Sequence, residues 1–206
     1  MRGDARLYLV TPAIEPARLG ALLDGGVDVV QLRMKGAADA DVLREAAWMR
    51  EACAIAGVPF LLNDRPDLTV AAGADGVHVG QDDTPVAVAR AVVGATAIVG
   101  LSTHAPEQLA SAPAAADYVA VGPVWETPTK PGRAAAGLAY VAHAAACAGG
   151  RPWFAIGGID TTNVGAVVAA GARRIVAVRA LVDAADPAQA AATLKAVLIE
   201  APVGRA

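Results

Sequence analysis

Short apolar runs alternate with longer mixed segments along the whole chain. The runs are rich in Val, Ile, Leu and Phe, as is typical of strands that are buried on both faces. They predict eight strands, at Arg6–Val10, Val27–Arg33, Phe60–Asn63, Gly76–Val79, Ala97–Leu101, Tyr118–Val121, Trp153–Ile156 and Arg174–Val178.

Helix start and stop signals separate these runs. Pro16 begins a helix that stops at Gly25-Gly26, and a longer helix from Asp39 to Gly57 carries an apolar stripe at helical spacing. Thr84 is expected to cap a helix whose first residue is Pro85, and Asp186 to cap the last helix. In all, the signals predict eight helices, over residues 16–24, 39–56, 66–72, 85–93, 105–112, 138–148, 162–170 and 187–199; the stripe consists of Val42, Ala46, Met49 and Cys53.

Strict alternation of strands and helices predicts a parallel sheet with right-handed crossovers. A short motif also repeats where a helix end leads into a strand, at residues 72–79, 115–121 and 170–178. Eight such units favour an α/β protein folded as a closed (β/α)8 TIM barrel, in one domain over residues 1–206. A doubly wound open sheet is the alternative, although no Gly-x-Gly-x-x-Gly follows the first strand.

Composition and charge narrow the function classes. Hydrophobic residues make up 55 % of the chain and charged residues 18 %, which predicts a packed globular protein. The net charge of −3 and the scattered arginines do not suit a nucleic-acid surface. No apolar stretch approaches the roughly 20 residues of a membrane-spanning helix, so we expect a cytoplasmic protein without a membrane partner. Cys53 and Cys147 are expected to be buried free thiols.

Polar residues recur directly after the predicted strands, at the end where such barrels carry their chemistry. Gln31, Arg33 and Lys35 occupy alternate positions, so a second strand that extends that far points all three into the barrel mouth. Three long polar side chains among apolar walls are costly without a ligand. Arg33 and Lys35 therefore predict an anionic group on that ligand.

Carboxylates follow two neighbouring strands. Asn63 and Asp64 come after the third strand, and Asp83 comes after the fourth. Because these strand ends are neighbours, the two aspartates are expected to share one Mg²⁺, a hard ion that binds carboxylate and phosphate oxygens. An aspartate taken alone is more commonly a helix cap or an ion-pair partner.

Two later segments suit phosphate groups. The loop from Gly122 to Gly132 holds two hydroxyls and an ammonium group among three prolines, namely Thr127, Thr129 and Lys130. Gly157-Gly158 are expected to present backbone N–H groups at a helix N-terminus, with Arg179 after the last strand. The alternatives are a Pro-rich surface loop and a tight turn.

Two further polar sites can be explained either by contact with a ligand or by a purely structural role. His78, at the end of the fourth strand, is equally well explained as a core histidine bonded to a backbone carbonyl. Ser102-Thr103, after the fifth strand, suits either a ligand or a cap on the following helix.

Taken in order, these motifs resemble the thiamine phosphate synthase family over almost the whole chain. The matching motifs are Tyr8-Leu9-Val10-Thr11, Gln31-Leu32-Arg33 with Lys35, Leu62-Asn63-Asp64-Arg65, Gly76-Val77-His78-Val79-Gly80-Gln81 with Asp83, Ser102-Thr103-His104, Asp117-Tyr118, Gly122-Pro123 with Thr127-Pro128-Thr129-Lys130-Pro131, and Ala155-Ile156-Gly157-Gly158-Ile159. The family joins an aminopyrimidine diphosphate to a thiazole phosphate with Mg²⁺ and releases pyrophosphate.

The resemblance implies a role for each matching residue. The pyrimidine diphosphate would be held by Gln31, Arg33, Lys35 and Asn63, and the metal by Asp64 and Asp83. Ser102 would contact the pyrimidine. The meeting place of diphosphate and thiazole would be lined by Thr127, Thr129 and Lys130, and the thiazole phosphate would be bound by Gly158, Val178 and Arg179. The expected catalytic residues, which act on developing charge, are Lys130, Arg33, Lys35 and Ser102. The partners are then two small-molecule substrates, and a homo-oligomer is possible.

Three positions depart from the family pattern. Met34 stands where an acidic residue is usual, Pro12 where an aspartate is usual, and Ala172-Arg173-Arg174 where Ala-Asp-Gly is favoured. None of them replaces a residue with an implied role. Strand alternation places Met34 opposite Arg33, toward the helices.

Two other functions stay open on the sequence. The related thiazole tautomerase resembles the synthase in fold, but a proton shift needs a general acid or base near the sixth strand and no metal pair. A non-catalytic sensor of phosphate ligands would bind the same groups without releasing pyrophosphate.

Overall fold

The computed structural model describes residues 4–127 and 134–200. Its strands are β1 Leu7–Thr11, β2 Val29–Leu32, β3 Phe60–Asn63, β4 Gly76–Val79, β5 Ile98–Thr103, β6 Tyr118–Val121, β7 Trp153–Ile156 and β8 Ile175–Ala177. They form a closed parallel barrel whose strand order follows the chain, with β8 pairing back to β1. The (β/α)8 prediction is confirmed and the open sheet is excluded.

Helices surround the barrel. The described part of the chain holds nine: α1 Pro16–Asp24, α2 Asp39–Ala56, α3 Pro66–Thr69, α4 Val86–Val93, α5 Pro106–Ala110, α6 Gly137–Cys147, α7 Val164–Ala169, α8 Arg179–Val182 and α9 Pro187–Glu200. The sequence did not predict α8, because its four residues are too few to show an apolar period. None of these helices is both long and apolar enough to span a bilayer.

The two predicted caps have different outcomes. The Asp186 carboxylate accepts a hydrogen bond from the Gln189 backbone N–H at 2.9 Å, so the cap of α9 is confirmed. The prediction for α4 was wrong by one residue, because Pro85 is the N-cap residue and the helix begins at Val86 without a side-chain cap. The extended backbone of Pro85, with φ −55° and ψ 141°, suits the fixed φ of proline.

Apolar side chains pack in two layers, one between the barrel and the helices and one inside the barrel. The outer layer contains the predicted stripe of α2 and the partly buried Met34, as strand alternation indicated. Inside the barrel, Tyr8, Tyr118 and Phe154 meet edge to face, with ring centroids 5.5 to 5.9 Å apart. Gly100 makes room for Tyr118, since a Cβ at this position would lie 2.1 Å from the ring. The rings fill the centre of the barrel and leave its carboxyl end open.

The cysteine prediction holds for one residue. Cys53 is a buried free thiol on α2, and burial raises its pKa to about 12. Cys147, at the end of α6, is free but exposed. The expectation that both thiols are buried was therefore wrong for Cys147, because it lies on the solvent side of a helix whose apolar composition hides which face is buried.

Carboxylates close the amino end of the barrel. An aspartate directly precedes each of β2, β4 and β6 and accepts hydrogen bonds from backbone N–H groups at the start of the preceding strand: Asp28 from Arg6 and Leu7 (2.7 and 2.9 Å), Asp75 from Phe60 (2.8 Å) and Asp117 from Val99 (2.7 Å). In the third copy of the repeated motif, Arg173 stands in the aspartate's place and donates to the carbonyls of Val168 and Ala172. The repeated sequence motif therefore marks hydrogen bonds that join neighbouring strands at the amino end of the barrel, away from its open carboxyl end.

Candidate active site at the carboxyl end of the barrel

A cavity of about 320 Å³ lies at the carboxyl ends of the strands. It is lined by eight of the predicted site residues, which come from β2, β3, β5 and the segments after β2, β6, β7 and β8: Gln31, Arg33, Asn63, Ser102, Thr127, Gly158, Val178 and Arg179. The closed barrel thus brings together residues that are far apart in the sequence.

Gln31 and Arg33 supply buried donors to this cavity. β2 ends before Arg33, so the ladder does not extend to Lys35 as the pleat argument required. The Arg33 N–H still donates to the Thr11 carbonyl at 2.8 Å, and the Arg33 side chain lines the cavity beside Gln31. Gln31 Nε2 and Arg33 Nε are buried without a hydrogen-bond partner among the described residues. Buried polar groups are nearly always paired, so two unpaired donors in one cavity indicate a ligand with acceptor atoms.

Lys35 takes a different direction from Arg33. Its ammonium lies 2.8 Å from Asp64 Oδ2 and 3.9 Å from Asp83 Oδ1, and it is not among the residues that line the cavity. The prediction for Lys35 required β2 to extend that far; because β2 ends at Leu32, Lys35 does not share the direction of Arg33. Both aspartates face the same cation, as two ligands of one metal ion must.

Of the two alternatives for the aspartates, the helix cap is excluded and the ion pair is observed. Asp64 does not cap α3, whose N-cap residue is Arg65 without a side-chain cap bond. Asp83 accepts a hydrogen bond from the Gly80 backbone N–H at 2.9 Å within a turn, and it does not cap α4. The ion pair with Lys35 is real, but Lys35 is half exposed, so it stabilises the fold little.

Asp64 is held in a strained backbone conformation. Its φ of 58° is left-handed, the only positive φ of a non-glycine residue in the described ranges. The Asp64 N–H donates to the His78 carbonyl at 2.8 Å, and Asn63 Nδ2 donates to Asp64 Oδ2 at 2.6 Å. Strained conformations are concentrated at functional sites, where they aim a side chain.

Ser102 ends a chain of buried polar side chains. It belongs to β5, which continues through Thr103 rather than stopping at the predicted Leu101. Ser102 Oγ lies 2.9 Å from His78 Nε2, His78 Nδ1 lies 2.8 Å from the Tyr118 hydroxyl, and Tyr118 lies 2.9 Å from the Tyr8 hydroxyl. Both nitrogens of His78 thus meet side-chain hydroxyls, where the sequence left open a backbone carbonyl.

The two tyrosines of this chain keep their protons. Tyr8 and Tyr118 are fully enclosed, and burial raises the pKa of each well above that of an exposed tyrosine. Both phenols therefore act as neutral donors and acceptors at physiological pH.

Gly157 and Gly158 line the cavity on the side of β7. Gly157 has a φ of 108°, and a Cβ there would lie 2.4 Å from the Pro123 side chain, so only glycine fits. The expected helix does not follow directly, since α7 begins at Val164. The helix whose first residues line the cavity is α8, which begins at Arg179.

The strand-six loop reaches the cavity through Thr127, Gly122 and Pro123. Thr129 and Lys130 lie outside the described residues, so their roles stay predictions.

Two polar residues of the cavity were given no role on the sequence. His104 follows β5, and its Nδ1 lies 2.6 Å from the Gly122 carbonyl, which ties β5 to the strand-six loop. Asp160 follows the paired glycines and accepts hydrogen bonds from the N–H and hydroxyl of Thr162 at 2.8 and 2.6 Å. Their position just after strand ends was the signal that could have identified both.

Comparisons with known proteins agree with this geometry. A family model described as thiamine monophosphate synthase matches residues 7–181. Thiamine-phosphate synthase of Acidothermus cellulolyticus is 52 % identical over 205 residues, which cover 96 % of this chain and 97 % of that protein. Thiamine-phosphate synthase of Thermus thermophilus is 53 % identical over 199 residues, which cover 92 % and 95 %.

Solved structures agree as well. Thiamine phosphate pyrophosphorylase from Pyrococcus furiosus matches with a TM-score of 0.86 at 27 % identity, covering 96 % of both chains. A 3-hexulose-6-phosphate synthase matches with a TM-score of 0.65 at 23 % identity, which shows a shared barrel fold alone.

Proposed function

The chain belongs to the thiamine monophosphate synthase family and is a transferase that forms thiamine phosphate, and on this premise we propose that the cavity is its active site. The first substrate is an aminopyrimidine whose methylene carbon carries a diphosphate. The second is a thiazole whose ethyl chain carries a phosphate. The products are thiamine phosphate and pyrophosphate.

The observation that carries the proposal is the pair of buried, unpaired donors on Gln31 and Arg33. A guanidinium with a free Nε suits phosphate oxygens, and an amide suits the polar edge of a pyrimidine. Asn63 lies beside them in the same cavity. We assign the pyrimidine diphosphate to this side, with Lys35 at its outer edge.

The residues present fit one Mg²⁺ at Asp64 and Asp83. Both carboxylates approach one ammonium group, and no cluster of three or more acidic, histidine or cysteine side chains occurs in residues 4–127 and 134–200. Mg²⁺ commonly takes one or two carboxylates and fills its other positions with water and substrate phosphate oxygens. When bound, the ion supplies positive charge that makes diphosphate a better leaving group.

The reaction needs charge stabilisation and not a nucleophilic side chain. The bond between the methylene carbon and the diphosphate oxygen breaks, and the electron pair leaves with diphosphate. The amino group of the pyrimidine then donates electron density to the cation, and the thiazole nitrogen bonds to the same carbon. Arg33 stabilises the developing negative charge on the leaving group, and we assign the same role to Lys35 and Lys130.

Water must be kept from the cation until the thiazole attacks. Apolar side chains of Val10, Ile156 and Val176 line the cavity together with the polar groups. These walls exclude solvent from the reacting carbon, which would otherwise be hydrolysed.

We assign the thiazole phosphate to the other side of the cavity from the pyrimidine diphosphate, at the segments after β7 and β8. Gly158, Val178 and Arg179 line the cavity there, and barrels of this class often bind phosphate at this place. Thr127 and Thr129 are assigned to the place where the two substrates meet.

The test is release of pyrophosphate from the purified full chain. We expect release that requires both substrates together and Mg²⁺, with one thiamine phosphate formed per pyrophosphate. Binding of both substrates without release would contradict the proposal and favour a sensor. Conversion of a thiazole phosphate alone would favour a tautomerase.

A further inference from the structure

Four side chains form a continuous hydrogen-bonded line from the centre of the barrel to the cavity wall: Tyr8, Tyr118, His78 and Ser102, which we call the hydroxyl–imidazole chain. Its three contacts measure 2.9, 2.8 and 2.9 Å. All four residues are buried, and His78 and Ser102 also line the cavity. Only the far end of the line can therefore reach a ligand.

The protons on this chain allow few arrangements. Each phenol and the serine carry one hydroxyl proton, and a neutral imidazole carries one N–H. Three contacts use three of these four protons, so one proton is left at an end. It points either away from Tyr8 into the barrel centre or away from Ser102 into the cavity.

The barrel centre cannot accept that proton. Tyr8 is 1 % exposed and is packed against the rings of Tyr118 and Phe154. Burial raises the pKa of Tyr8, and the hydrogen bond with Tyr118 is the only one that the Tyr8 hydroxyl makes within residues 4–127 and 134–200. A spare Tyr8 proton would be buried without a partner, which is unfavourable. A doubly protonated imidazole at His78 would donate to Tyr118, and Tyr118 would then donate to Tyr8. The Tyr8 proton would again be buried without a partner.

We propose that Tyr8, Tyr118 and His78 are positioning residues that turn the Ser102 hydroxyl proton into the cavity, where Ser102 donates a hydrogen bond to a ring nitrogen of the pyrimidine. The proposal rests on the proposed function for the identity of the ligand. In this arrangement Tyr8 donates to Tyr118, Tyr118 donates to His78 Nδ1, and His78 carries its proton on Nε2 and donates to Ser102. His78 acts through Ser102 and does not itself contact the reacting atoms.

The direction of the proton selects the ligand atom. A ring nitrogen of a pyrimidine is an acceptor and matches a donating Ser102. The amino group of the same ring is a donor and cannot accept the Ser102 proton. A donating Ser102 therefore requires a ring nitrogen of the pyrimidine to face β5.

The kinetic test is a double-mutant cycle of Tyr118→Phe and Ser102→Ala. Tyr118→Phe keeps the ring and removes the link, so His78 is free to carry its proton on Nδ1 and Ser102 to donate to His78. We expect kcat/KM for the pyrimidine substrate to fall roughly tenfold, as for a lost hydrogen bond, and less than about twofold when Ser102 is already alanine.

Tyr140→Phe is the matched control. The Tyr140 hydroxyl donates to Thr103 Oγ1 at 2.8 Å, so this change also removes a buried tyrosine hydrogen bond beside Ser102. Tyr140 lies on α6 and outside the hydroxyl–imidazole chain. We expect it to lower the melting temperature without changing kcat/KM in either background. Equal losses for Tyr118→Phe in both backgrounds, or equal effects of the two phenylalanine variants on kcat/KM, would overturn the proposal.

The second measurement needs no change in the hydroxyl–imidazole chain. The protein has three histidines, so nitrogen NMR of histidine-labelled protein gives three imidazole signals, and His104→Gln and His143→Gln variants identify the signal of His78. We expect neutral His78 with its proton on Nε2. A proton on Nδ1, or on both nitrogens at neutral pH, would overturn the proposal. If pyrophosphate release fails while the Nε2 proton is found, the proposed function is wrong and the proton direction is upheld.

Discussion

The two ends of the barrel carry the same kinds of polar residue and use them differently. At the amino end, Asp28, Asp75 and Asp117 each accept backbone N–H groups of the preceding strand. At the carboxyl end, Gln31 Nε2 and Arg33 Nε are buried without partners in the described ranges. In this protein, burial or charge alone does not mark a polar residue as functional. A polar residue indicates function when its hydrogen-bonding groups have no partner within the fold.

This difference separates stability from activity. Removing a charge at the amino end weakens the acceptor of strand N–H groups, which lowers the free energy of unfolding. Removing a charge at the carboxyl end leaves the fold intact and takes away a contact to the ligand. Matched substitutions at the two ends should therefore have opposite readouts.

The largest expected effect concerns Asp64 and Asp83. We expect Asp64→Asn or Asp83→Asn to lower turnover on the order of 10²-fold, as loss of a charge-stabilising group does. The double variant should cost little more than the worse single variant, because two ligands of one ion act as a unit. The measurement is turnover at saturating substrates, titrated against Mg²⁺.

Asp82→Asn serves as the control, since Asp82 is an exposed neighbour in the same turn. It should leave the Mg²⁺ midpoint unchanged. Additive losses for Asp64 and Asp83 with an unchanged midpoint would show that the two aspartates do not share an ion.

A smaller, opposite effect is expected at the amino end. Asp117→Asn weakens the acceptor for the Val99 N–H at 2.7 Å and removes the ion pair with Arg90 at 2.6 Å. We expect the free energy of unfolding to fall by about 1–3 kcal/mol, the cost of a buried donor left poorly paired. Urea unfolding and turnover are measured on the same preparation. A fall in turnover with unchanged unfolding would abolish the distinction between the two ends.

The smallest effect is expected at Arg173, the departure in the third copy of the motif. Arg173→Asp removes the donor to the Val168 and Ala172 carbonyls and restores the carboxylate of the other copies. These changes act in opposite directions, so we expect the unfolding free energy to change by less than about 1 kcal/mol and turnover to stay the same. A large loss in urea unfolding would mean that Arg173 has become essential to this end of the barrel.

Local patterns predicted most of the fold. Alternation of strands and helices predicted a parallel sheet, and the number of units, eight, favoured the closed barrel that the structure shows. The single-turn α8 could not be predicted, since four residues show no period. The α4 cap was placed one residue early because Thr84 and Pro85 both fit helix starts, and local sequence does not distinguish them.

The sequence predicted eight of the residues that line the cavity, but it predicted the directions of side chains less well. Gln31 and Arg33 reach the cavity as expected, but Lys35 turns to Asp64, because the strand pleat stops before it. The link from Tyr8 to Tyr118 joins residues 110 positions apart. No local sequence pattern predicts such a contact, because the two residues meet only when the barrel is closed.

The most direct test of the account is calorimetric binding of pyrophosphate to the full chain and to Arg33→Met. Methionine keeps an unbranched side chain but has no donor for phosphate. The account predicts that pyrophosphate binds with Mg²⁺, that binding weakens at least about tenfold without Mg²⁺ or in the variant, and that the variant unfolds at no lower urea concentration. Equal binding by both proteins, with and without Mg²⁺, would contradict it.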